Sequence, residues 1–216
     1  FLLAGIAGYS LMARPQGCCG ALRPAADPGR RQMSMHFVFD FGRVLFDWQP
    51  ARLVRQVLPE VVTDATPAEH WVREVFQGYG GDWFEYDCGR IDPGPLAERM
   101  AGRTGLTLQQ SRRIIDSVPD HLTPLPESVD LLRRVCSVGV PVFYLSNMPG
   151  PVADELERRH EFIGCFADGV FSARVSLAKP DPAIFALAAQ RFGVPAGDLV
   201  FLDDHAPNIE AAREAG

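Results

Sequence analysis

The sequence predicts an α/β protein, a Rossmann-like parallel sheet with a small helical domain inserted after its first strand. Three apolar runs carry this reading, and each ends on polar residues: Phe37-Val38-Phe39 before Asp40, Val140 to Leu145 before Ser146, and Leu199 to Leu202 before Asp203. Short, continuously apolar runs separated by helical stretches are the pattern of parallel strands covered on both faces. Ligands of such sheets sit beyond the carboxyl ends of the strands, so the polar residues that close the runs are expected to meet at one edge.

Taken in order, residues 1–34 read as an extension outside the folded domain, disordered or not native, with Met33 or Met35 as the natural start. Phe1 to Ala13 has the apolar look of a signal core, but no basic segment precedes it. Residues 35–49 and 123–216 form the expected core. Residues 50–122, far more than a crossover helix needs, form the expected helical cap.

Start signals recur along the insert: Thr66-Pro67-Ala68-Glu69 and Thr107 with Gln110 read as capping boxes, and Asp92-Pro93 as a cap followed by proline. Thr123 to Pro126 reads as a stiff return linker. Beyond it, Glu127 to Ser137 reads as a helix closed by Gly139, and Phe166 to Phe171 as a further strand. Asp181-Pro182 opens a helix that Gly193 closes, and Pro207 to Glu214 forms another. The chain stops where one more strand is expected.

A net charge of −6 and a pI near 5.4 speak against nucleic acid or an anionic membrane as partner, since both select a basic face. No run approaches the ~20 apolar residues of a membrane span. The five cysteines form an odd set without C-x-x-C spacing, as expected of reduced thiols in a cytoplasmic protein, monomeric or homodimeric.

Each strand-end group has two readings. Asp40 can be a nucleophile, a metal ligand or a turn cap. Gly42 allows a close backbone approach or a positive φ. Ser146-Asn147 can donate to a phosphoryl oxygen or simply begin a turn. Lys179, which opens Lys179-Pro180-Asp181-Pro182, can bind phosphate as a point charge or stand solvated. The neighbours Asp203 and Asp204 repel each other unless a cation lies beside them, and Mg²⁺ favours such hard oxygen donors; one aspartate suffices for a helix cap.

With FVFDFGRVLFD (Phe37 to Asp47), VFYLSN (Val142 to Asn147), AKPDPAIF (Ala178 to Phe185) and VFLDDHAPNIEAAREAG (Val200 to Gly216), the chain resembles the haloacid dehalogenase superfamily over about residues 36–216. The likeness extends to its capped phosphatases, which include bacterial sugar-1-phosphate phosphatases. The resemblance implies a Mg²⁺-dependent phosphatase acting on a small phosphate monoester through an aspartyl-phosphate on Asp40. Ser146 and Lys179 would hold the phosphoryl oxygens, with Gly42, Arg43 and Asn147 around them. Asp40, the Gly42 carbonyl and Asp203 or Asp204 would bind Mg²⁺.

One position departs from that pattern. Most phosphatases of the superfamily carry a second aspartate, an acid and base, where this chain has Gly42; such a group contributes roughly 10²–10⁴-fold. His205, Asp47, Glu85 and Asp87 are the candidate substitutes. An ester with a good leaving group, such as an anomeric sugar phosphate or an acyl phosphate, would lessen the need for one. Two rivals share the nucleophile or the fold: a metal-free 2-haloacid dehalogenase, and a phosphate-binding protein with little or no turnover.

Overall fold

The computed structural model describes residues 35–78 and 80–216; the expected N-terminal extension lies outside them. Four parallel strands form the main sheet in the order β5-β4-β1-β6, namely Asp168–Phe171, Phe143–Ser146, His36–Phe39 and Leu199–Leu202. The register sets Phe39 opposite both Tyr144 and Leu202. Asp40 and Asp203 therefore leave adjacent strands side by side, with Ser146 one strand over.

Although the runs are apolar throughout, their side chains alternate between two cores. Val38, Phe143, Leu145 and Val170 pack on Ile184, Phe185 and Ala188 of α9 (Pro182–Phe192) and on Ala211 of α10 (Ala206–Glu214). Phe39, Tyr144 and Phe171 face the other way, toward Val129 and Leu132 of α6 (Pro126–Ser137) and Val152 and Leu156 of α7 (Gly150–Arg159). Helices thus cover both faces of the sheet, as a buried parallel sheet requires.

Among the described residues, five helices lie between the first strand and Thr123: α1 (Pro50–Val57), α2 (Ala68–Phe76), α3 (Gly81–Asp87), α4 (Pro93–Thr104) and α5 (Leu108–His121). The Thr107–Gln110 capping box forms in full. Asp181 caps α9 through the Ala183 N–H, and left-handed Gly193 closes that helix.

Other local expectations are corrected. Pro67, rather than Thr66, occupies the cap of α2; Thr66 is held in a mutual turn with Thr63, and Glu69 pairs with Arg55. Asp92 precedes α4 without a side-chain cap bond. The second main strand begins at Phe143, because Pro141 has no N–H to give a ladder. The return linker is a strand, β3 (Thr123–Pro124), paired antiparallel with β2 (Phe46–Asp47). This two-stranded ribbon carries both crossings between core and insert. Cys88, Cys136 and Cys165 are free thiols. Among the described residues no helix is long and apolar enough to cross a membrane.

A second junction ties the insert to the core beside the strand ends. The Ser172 hydroxyl, at the start of α8 (Ser172–Val175), donates to the Asp87 carbonyl and accepts the Met148 N–H at 2.8 Å. Gly89, at φ 67°, passes so close to the Ala173 carbonyl that a Cβ would stand 2.4 Å from its oxygen. Ser172→Ala removes one hydroxyl and leaves two buried backbone groups unsatisfied. It is expected to cost about 1–3 kcal/mol, read as a fall of roughly 3–9 °C in Tm by calorimetry.

Candidate active site

Asp40 is presented by a closed turn. The Phe41 carbonyl accepts the N–H groups of Leu45 and Phe46 at 2.9 and 2.8 Å, and Arg43 N–H donates to Phe46 O at 2.7 Å. The turn is anchored by the Phe41 ring, which is fully buried and packs on Phe46, Tyr144 and Phe171 at 5.1–5.4 Å. Its positive φ falls on Arg43, at 58°, and not on Gly42 as the sequence suggested. A Cβ at Gly42 would meet only Trp48 Cβ, at 3.9 Å. The turn therefore does not demand glycine on steric grounds.

Lys179 is the centre of charge. Its side chain is 1% exposed, and Nζ lies 2.6 Å from Asp203 Oδ2 and 3.0 Å from Asp40 Oδ1. Removing a buried ammonium from water costs several kcal/mol, which two carboxylates at hydrogen-bond distance offset. The lysine is aimed by Asn147, whose amide donates to Lys179 O at 2.9 Å and accepts Lys179 N–H at 2.8 Å. The Asn147 side chain, expected beside a substrate, is thus engaged in clamping the lysine loop to the end of β4.

Both oxygens of Asp203 are occupied, by Lys179, the His205 N–H and the Asn208 amide. Asp204 points toward solvent and pairs with Arg43 Nε at 3.2 Å. Arg43, expected near a phosphate, therefore stands over this carboxylate. Asp40, Asp203 and Asp204 each bring an oxygen within 4.8 Å of the others. Three such oxygens match the hard-donor preference of a small divalent cation. Burial pushes the Asp40 carboxyl above its ordinary value, Lys179 opposes this and Asp203 reinforces it, while Ser146 hydrogen-bonds the carboxylate. Added positive charge at the trio would favour the ionised, nucleophilic form.

These groups open into a cavity of about 320 Å³ lined by Asp40, Gly42, Arg43, Ser146, Asn147, Lys179 and Asp204, together with residues of the insert. Four residues were candidates for the missing acid, and two of them stand away from the cavity lining. Asp47 binds Gln49 and Arg52, and Glu85 pairs with Arg90. His205 and Asp87 do line it. Asp87 ends α3, where burial pushes its carboxyl up to about 8 against a hydrogen bond from Trp83. At neutral pH it is held mainly as the neutral acid. Ser172, which joins this helix to the core, has no sequence signal, since the residues it bonds lie far away along the chain.

Residues 35–216 match the family model of haloacid dehalogenase-like hydrolases. The chain is 26% identical over 180 residues to a sesquiterpene phosphatase of Aspergillus oryzae, an alignment spanning 83% of this chain and 85% of that one. An (S)-2-haloacid dehalogenase of Pseudomonas fluorescens is 30% identical over 96 residues, 44% of this chain and 42% of its own. Among solved structures, a haloacid dehalogenase-family enzyme of Bacteroides thetaiotaomicron, crystallised with magnesium and inorganic phosphate, superposes with a TM-score of 0.67 at 20% identity. It covers 84% of this chain and 90% of its own.

The raised Asp87 carboxyl sets a pH dependence of stability. The folded protein holds this proton until about pH 8, whereas the unfolded chain releases it near 3.8. Stability is therefore fully present below the lower value and is lost as pH rises through the upper one. The Tm of Asp87→Asn is expected to gain on that of wild type between roughly pH 4 and 8, by at least about 4 °C, and then to level off. A Tm difference that is constant with pH would contradict the assignment.

Proposed function

The chain belongs to the haloacid dehalogenase-like hydrolases, and on that footing we propose that it is a Mg²⁺-dependent phosphatase of small phosphate monoesters. One observation carries the reading: a buried lysine and three converging carboxylates at the ends of β1 and β6. A dianionic phosphate repels an attacking carboxylate, and this charge set accommodates both partners once a divalent cation is present.

In this reading an Asp40 carboxylate oxygen attacks phosphorus, the bond from phosphorus to the alcohol oxygen breaks, and that oxygen takes a proton from solvent and leaves as the alcohol. Lys179 and Ser146 hold the phosphoryl oxygens where charge develops. Water then attacks phosphorus of the aspartyl-phosphate, releasing orthophosphate and restoring the carboxylate. Mg²⁺, held by Asp40, the Gly42 carbonyl, Asp203 and Asp204, would neutralise charge on nucleophile and phosphate. Asn147 positions the lysine, and Arg43 stands at the rim on Asp204. Residues 50–122 act as a cap that excludes water, over a core formed by 35–49 and 123–216.

A dehalogenase reading draws on Gly42 and on the Pseudomonas relative, which aligns over less than half of either chain. It leaves the trio of carboxylates without a purpose, since a monoanionic haloacid would be repelled by them. A binding protein without turnover would keep Lys179 and the trio as a phosphate cradle.

A phosphate-release screen of alkyl, aryl and sugar phosphates separates the three. Turnover that disappears in EDTA, returns with Mg²⁺ and falls at least roughly thousandfold in Asp40→Asn is expected. Halide release that persists in EDTA would establish the dehalogenase. Absence of turnover across the panel, with phosphate still bound, would establish the binding protein.

A further inference from the structure

We propose that the ester accepted by this site is the phosphate of an apolar alcohol, an alkyl or alkenyl phosphate, rather than of a sugar or other polyol. The inference rests on the phosphatase reading and concerns the leaving-group side of the same cavity.

The cavity has two chemically distinct parts. At the strand ends lie Asp40, Ser146 and Lys179, all buried and charged or polar. The apolar part of the lining is Trp48, Phe76, Trp83, Val118, Leu122 and Met148, with Asp87 and His205 also on the cavity. Three of these form a locked aromatic surface: the Trp48 and Phe76 rings meet at 5.5 Å, and those of Phe76 and Trp83 at 4.6 Å, both edge to face. They come from the β2–α1 connection, α2 and α3, so the insert supplies two of the three rings and the core supplies Trp48.

A polyol would have to exchange water for partners here, and several polar groups of the lining are already bonded elsewhere, the Asn208 amide to Asp203 among them. The Asn147 amide spends both ends on the Lys179 backbone, and Arg43 faces Asp204. Asp87, in the wall, is bonded by Trp83, and burial keeps it uncharged near neutral pH. Each hydroxyl enclosed without a partner would weaken binding by roughly 5- to 150-fold. Each methylene laid on the aromatic wall strengthens it by about fourfold instead. The sugar ester suggested by the sequence is therefore the poorer fit, because its hydroxyls meet rings and methyl groups.

Two measurements on the wild-type chain with Mg²⁺ test this. The first titrates non-hydrolysable alkylphosphonates, from ethyl to decyl, by calorimetry. The second compares kcat/KM for hexyl phosphate and for a hexitol 1-phosphate. The expected result is a Kd that falls about fourfold per added methylene until the cavity fills, with kcat/KM at least roughly 100-fold higher for the hexyl ester. A Kd independent of chain length, or equal or better turnover of the hexitol ester, would overturn the proposal. Phosphonate binding that deepens with chain length while no ester is hydrolysed would support the apolar pocket and overturn the phosphatase reading alone.

Discussion

Everything in this site depends on one buried cation. Lys179 is almost wholly withdrawn from water and lies within 3.0 Å of two carboxylates that leave adjacent strands. An unpaired charge at that depth would be costly, so lysine and aspartates hold one another in place. The parallel register of β1 and β6 brings Asp40 and Asp203 together, and Asn147 fixes the lysine loop against β4. Beneath them the Phe41 ring anchors the turn that carries Asp40. The sheet edge thus supplies a rigid electrostatic frame, which is what catalysis by preorganised charge requires.

In the proposed reading, the strand ends form the phosphoryl side of the site, and the other side differs in kind. Where many phosphatases of the superfamily carry an acid two residues beyond the nucleophile, this chain has Gly42, although the turn has room for a larger side chain. The insert adds a carboxyl to the cavity lining, Asp87, which is buried, hydrogen-bonded by Trp83 and mainly uncharged near neutral pH. Family membership accommodates both dehalogenation and phosphate-ester hydrolysis, so it is the carboxylate trio that favours the metal-assisted reaction. In the proposed reading, the insert contributes to what stands on the far side of the scissile bond.

Much of this was legible in the residues. Apolar runs ending in Asp40, Ser146 and Asp203 located three strands because burial on both faces demands such runs. The order of Asp, Ser, Lys and Asp-Asp along the chain pointed to the sheet edge where these groups converge. What could not be read were properties made by tertiary contacts. Arg43 and Asn147 look like phosphate ligands in sequence, but one is drawn to Asp204 and the other spends its amide on a neighbouring loop. Thr66 carries every mark of a cap, yet Pro67 after it takes the cap position as the threonine turns back on Thr63. The perturbed Asp87 had only its composition to announce it, since its burial appears only once α3 packs against α2, α4 and α8.

The central claim is that Asp40 becomes covalently phosphorylated. Its most direct test is a single turnover of a hydrolysable ester with Mg²⁺, quenched in acid, followed by mass spectrometry of the peptide spanning Phe37 to Asp47. A transient phosphoryl adduct on Asp40, formed and lost at rates compatible with turnover, is the predicted result. Turnover without any adduct, or with the phosphoryl group on another residue, would contradict it.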